Sequence, residues 1–154
     1  MKGKLHGCDL RKGRVSLNGC IYLVTAVTHQ RQSVFADINA GRIVVREMMR
    51  SVRYGDTDTL AFVVMPDHLH WLFSLTGDRT LSSVVGAVKR HSARQLNEKC
   101  SRNVRLVWQR GFHDHALRRE EDVIHAARYV VANPLRAGLV NRIGDYPLWD
   151  AVWL

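Results

Sequence analysis

Hydrophobic and polar positions alternate with a period of two in some stretches and three to four in others, and the switch points divide the chain into elements. Ile21 to Thr28 (IYLVTAVT) is rich in β-branched and aromatic residues and predicts a first strand. Asp37 is placed to cap a helix from about Ile38 to Tyr54, with Ile43, Val44, Glu47 and Met48 at helical spacing and Gly55 as the stop. Thr59 to Met65 (TLAFVVM) has the length and apolarity of a buried strand, and the Pro66-Asp67 turn leads into a third strand from His68 to Leu75. Thr80 or Ser82 opens a second long helix that runs to about Lys99, and Phe112 to Leu117 reads as a fourth strand. A third helix runs from about Glu120 to Asn133, where Asn133-Pro134 ends or kinks it.

The order strand, helix, strand, strand, helix, strand, then an extra helix predicts an α+β fold. Its first six elements form the split β-α-β of a ferredoxin-like sandwich, an antiparallel sheet with two helices on one face. The other face is left to a ligand or to the added C-terminal helix. Residues 1–19 are basic and glycine-containing and read as an N-terminal arm, leaving 20–154 as a single domain.

Charge narrows the partners. Twenty-three Lys and Arg stand against 14 Asp and Glu, a net charge of +9 on 154 residues. Such an excess draws polyanions, because each neutralised phosphate releases a counterion. Nucleic acid is the first partner to consider. The N-terminus lacks the apolar stretch of a signal peptide, and no run approaches the roughly 20 apolar residues of a membrane span. A cytoplasmic protein without a membrane partner is expected. Cys8, Cys20 and Cys100 include no C-x-x-C pair, so no thiolate zinc site is indicated.

The candidate chemistry lies first in His68-Leu69-His70. Strand residues two apart point the same way, so His68, His70, Leu72 and Ser74 share one face while Leu69, Trp71, Phe73 and Leu75 form an apolar other face. Imidazoles on alternate strand positions can converge on one divalent ion that takes further oxygen ligands from elsewhere. The same tripeptide also suits two histidines on an exposed sheet. A second such pair, His113 and His115, allows three readings: completion of a four-histidine zinc site, one near-site histidine (His115) touching phosphate, or surface decoration.

Of four tyrosines, Tyr129 differs. Its helix carries an apolar stripe of Val123, Ile124, Ala127, Val130 and Val131, and a neighbouring stripe of Asp122, His125, Tyr129 and Asn133. Asn133 lies one turn beyond Tyr129, so phenol and amide can reach one point. A phenol needs a polarised phosphate or a nearby base to act as a nucleophile, and Asn133 can offer its carbonyl oxygen as a third metal ligand. Tyrosine packing at a helix edge and asparagine ending a helix explain the same residues without chemistry. Arg11, Lys12, Arg14, Lys89, Arg90 and Arg118 are the expected DNA contacts, with the arm as the preferred sequence reader. Trp108 suits either base stacking or the core.

Four phrases in order, GRVSLNGCIYLVTAVTHQRQSVF, VVMPDHLHWLFSL, WQRGFHDHALR and ARYVVANPLRAGLV with DYPLW, resemble the REP-associated tyrosine transposases, a branch of the single-tyrosine HUH transposases. The resemblance implies His68 and His70 as metal ligands for Mg²⁺ or Mn²⁺, Tyr129 as nucleophile and Asn133 as the polar metal-side residue. Relatives often carry glutamine at that last position, and asparagine reaches less far. It also implies single-stranded DNA cleavage and rejoining through a 5′-phosphotyrosine, on hairpins of repetitive extragenic palindromes, by a monomer. Two other functions fit parts of the pattern: a non-catalytic hairpin-binding module derived from a transposase, and a metal hydrolase that uses water.

Overall fold

In the computed structural model, which describes residues 19–99 and 106–152, one antiparallel sheet is assembled from β1 (Ile21–Val27), β2 (Thr57–Met65), β3 (His68–Leu75), β4 (His113–Leu117) and β5 (Trp149–Ala151). The order is β4-β1-β3-β2-β5. The first four strands reproduce the expected split β-α-β, with β3 inserted antiparallel between β1 and β2. β5 was not anticipated. It has three residues, and it exists because the tail folds back to pair Ala151 with Ala61 and Trp149 with Val63 on the edge of β2.

The helices are α1 (Ile38–Arg53), α2 (Leu81–Lys99), α3 (Glu120–Val131) and a four-residue α4 (Asn133–Arg136). Asp37 caps α1 by accepting a hydrogen bond from Asn39 N at 2.9 Å. Gly55, at φ +77°, closes the same helix in the left-handed conformation that glycine tolerates. α3 stops at Val131, and Pro134 falls in the first turn of α4, where its missing N–H costs nothing.

Alternation along β3 then divides the interior in two. Leu69, Trp71, Phe73 and Leu75 pack with Ile43, Val44, Met48, Val84 and Val88 of α1 and α2. On the opposite face, Leu72 with Ala61, Val63 and Met65 of β2 receives Val123, Ala127, Val130 and Val131 of α3. Val63 and Val130 are wholly buried there, and side chains of that size contribute about 2 kcal/mol each on burial. The third helix is thus fixed across β2 and β3 on the histidine side of the sheet. No helix among the described residues is long and apolar enough to cross a membrane. The proposed arm, with Arg11, Lys12 and Arg14, lies outside the described residues except for Gly19.

Candidate active site

The site grows from the turn before β3. Thr28 grips Asp67 through backbone and side chain, its N and Oγ1 lying 2.9 and 3.0 Å from the Asp67 carbonyl oxygen. The Asp67 carboxylate meets His68 Nδ1 at 2.6 Å and Arg31 at 3.3 Å. Burial pushes this carboxyl upward, but the hydrogen bond and charge of His68, followed by those of Arg31, outweigh it and hold the pKa below the ordinary value. The contact fixes the His68 ring through Nδ1, so that Nε2 is the nitrogen on the far side from Asp67.

His70, 8% exposed, sits one pleat further on, and its Nδ1 meets Thr25 Oγ1 of β1 at 2.8 Å. Thr25 is its cross-strand partner, so the register of β1 against β3 creates this contact. Burial first, then the charges of His68 and Arg136, depress the His70 pKa to about 4. The imidazole is therefore neutral at physiological pH, the form that can ligate. The two rings stand edge to face with centroids 4.8 Å apart.

α3 brings Tyr129 to the same patch. Its ring centroid is 5.8 Å from that of His70, again edge to face, and the residue is 49% exposed. Arg136 of α4 completes the cluster: its guanidinium carbon lies 4.0 Å over the Tyr129 ring and its Nη2 donates to the Tyr129 carbonyl at 2.9 Å. Arg136 was missed in the sequence, where it reads as one more basic residue after a proline. Only the α3–α4 corner turns it back over the tyrosine. Thr25 and Asp67 were missed as well, and the phrase PDHLH held a signal for the second.

Asn133 lies one turn past Tyr129, and its Nδ2 donates to the carbonyls of Tyr129 and Val130, each at 3.3 Å. The amide thus caps the end of α3 through its Nδ2. His113 and His115 are exposed on edge strand β4. His113 pairs with Thr25 and so stands in the cross-strand row of His70, while His115 pairs with Leu23 one row away. Among the described residues no three His, Cys, Asp or Glu side chains gather as a metal cluster, so the four-histidine zinc site does not form.

The other candidates divide. Lys89, expected on DNA, has its ammonium on the carbonyls of Gln109 and Gly111 and tethers that loop to α2. Arg90 and Arg118 are exposed. Trp108 is in the core, its ring tilted against Phe35 with centroids 5.2 Å apart and Nε1 donating to Ser92. Tyr146 packs in the tail with its hydroxyl on the Val64 carbonyl, and burial raises its pKa to about 12.

Comparison with known proteins adds relatives. The model of the family described as "Transposase IS200 like" matches residues 16–133. A REP-associated tyrosine transposase of Escherichia coli K12 is 33% identical over 88 residues, 56% of this chain and 50% of that protein, so the match spans half its length. A Haemophilus influenzae protein assigned to the same group is 28% identical over 140 residues, 84% of this chain and 78% of that one. Among solved structures, a REP-associated tyrosine transposase bound to a REP hairpin superposes with a TM-score of 0.75 at 23% identity, covering 90% of this chain and 81% of that one. A Deinococcus radiodurans R1 protein assigned as a transposase gives 0.56 at 21% identity, covering 79% and 95%. At these identities the structural likeness speaks to the fold.

Proposed function

Because the chain belongs to the IS200-like transposase family, we propose that it is a metal-dependent single-stranded DNA endonuclease and strand transferase. It acts through a 5′-phosphotyrosine at Tyr129 on hairpins of repetitive extragenic palindromes. The observation that carries this reading is the convergence, within one chain, of the Tyr129 ring on His70 at 5.8 Å and of His70 on His68 at 4.8 Å. One phosphate can touch all three. A single copy supplies every member, which supports a monomer as the acting species.

The donor set fits a divalent ion. Both imidazoles are oriented through Nδ1, leaving Nε2 of His68 and His70 to ligate, with Oδ1 of Asn133 as third donor and phosphate oxygens and water as the rest. Mg²⁺ or Mn²⁺ in that position would withdraw charge from the scissile phosphate as a Lewis acid. The chain's own residues do the remainder. Thr25 and Asp67 hold the rings in orientation. The Tyr129 phenol, half exposed, gives its proton to solvent and its oxygen bonds to phosphorus. The bond from phosphorus to O3′ breaks, and the departing oxygen takes a proton from water to leave a free 3′-OH. In the second step a 3′-OH attacks the same phosphorus, the bond to Tyr129 breaks and the phenol regains its proton. Arg136 beside the ring supplies positive charge where the phosphate must sit.

The test is a hairpin oligonucleotide with Mn²⁺ and a denaturing gel for protein–DNA adducts. An adduct lost in Tyr129→Phe and in His68→Ala is expected. Hairpin binding without cleavage identifies the non-catalytic module instead, and cleavage surviving Tyr129→Phe identifies a water-using hydrolase.

A further inference from the structure

The far side of the molecule from the histidines carries a second charged feature. α1 has four arginines, Arg42, Arg46, Arg50 and Arg53, all exposed. At 100° and 1.5 Å per residue they occupy about 80° of arc and roughly 16 Å of length on the side turned away from the core. The one acidic residue of α1, Glu47, is buried and turned to α2, where it meets Gln95 and His91. Of the four arginines it reaches only Arg50, at 4.0 Å. Arg42, Arg46 and Arg53 have no acidic partner among the described residues, and exposed Arg90 on α2 adds another such cation.

Like charges one turn apart repel and weaken a helix, so this row has a cost in the free protein that a polyanion removes. We propose that the outer face of α1 binds the phosphate backbone of duplex DNA without reading its sequence, as a surface distinct from the histidine–tyrosine patch. The two surfaces are separated by the helix layer and the sheet, since α1 packs on Trp71 and Phe73 while His68 and His70 point the other way. Successive arginines advance by roughly 6 Å per turn along a rigid rod, which suits a rigid polyanion carrying a charge every ~1.7 Å of axis. No large exposed hydrophobic lies between Arg42 and Arg53 for insertion into a protein groove or lipid. The exposed aromatic at this end, Tyr54, has the Arg50 guanidinium over its ring, 5.5 Å from the centroid, so recognition falls to charge rather than base stacking. The proposal rests on the transposase reading only for the identity of the polyanion.

The test measures anisotropy of a labelled duplex of about 20 base pairs, blunt and without hairpin or single strand, at salt from about 50 to about 200 mM. Wild type is compared with the triple variant Arg42→Gln/Arg46→Gln/Arg53→Gln and its lysine counterpart. Each lost phosphate contact lowers the log–log salt slope by about 0.9, so the triple glutamine variant should lose about 40-fold of the wild-type salt sensitivity, while the lysine variant keeps most of it. Equal slopes in wild type and glutamine variant overturn the proposal, as does a wild-type chain that binds acidic-lipid vesicles but not the duplex. Protection of Arg42, Arg46 and Arg53 from phenylglyoxal by the duplex, read by mass spectrometry, gives the same answer without any substitution. Adduct formation on a short single-stranded oligonucleotide should be unchanged in the variant. Failure of that reaction in wild type counts against the nuclease reading alone.

Discussion

Metal-free protein should lose stability on mild acidification because of one residue, His70. Its pKa in the folded chain is about 4, against 6.5 for a free histidine, with burial as the leading cause. The unfolded chain therefore binds a proton that the folded chain refuses between those two values. The sign follows: the stability is fully present above pH 6.5, declines as pH falls toward 4, and levels off below. For a shift of this size the decline reaches roughly 2–3 kcal/mol at about pH 4.5, a large part of the roughly 5–15 kcal/mol that holds a typical domain. At 8% exposure, solvent does little to screen the effect. The assay is urea unfolding in EDTA at about pH 7.5 and about pH 4.5, comparing wild type with His70→Gln. Glutamine keeps a polar group against Thr25 but does not titrate. Wild type should lose roughly 2–3 kcal/mol more than the variant between the two conditions. Losses that agree within about 0.5 kcal/mol would mean that His70 is not desolvated in the way its place under Tyr129 and beside Thr25 requires, and the reasoning fails.

Arg136→Gln should slow single-turnover adduct formation about tenfold, since a charge at about 4–5 Å is worth roughly 1–3 kcal/mol and exposure draws it toward the lower figure; a rate within twofold of wild type refutes its role, and Arg136→Lys should fall between. Gly41→Val should destabilise the fold by about 1–3 kcal/mol, because any Cβ at Gly41 runs into the Leu148 side chain; an unchanged urea midpoint would show that the tail does not lie on α1.

The sheet and its two principal helices were legible because each strand or helix announces its own period. The alternation of β3 separates His68 and His70 from Trp71 and Phe73 with no knowledge of neighbours. The spacing of Tyr129 and Asn133 is equally local. What lies across the fold was not legible. The Thr25 partner of His70 depends on the register between two strands 45 residues apart. Sequence patterning marked α3 as a helix with one apolar stripe, yet the choice of sheet face depends on Val130 meeting Val63 and Leu72 in three dimensions. β5 is too short for alternation to register, and Arg136 acquires its neighbour from a corner after proline. Lys89 shows the same limit: read from a basic run as a DNA contact, it has its ammonium on two backbone carbonyls some twenty residues away, a contact no local pattern announces.

The added helix does not cover its side of the sheet evenly. It lies over β2, β3 and β5, and leaves Thr25 of β1 half-buried and His113 and His115 of β4 in solvent. The Tyr129–His70 patch is therefore open on one side: the β4 margin, where those two histidines stand, is uncovered, while α3 walls the other.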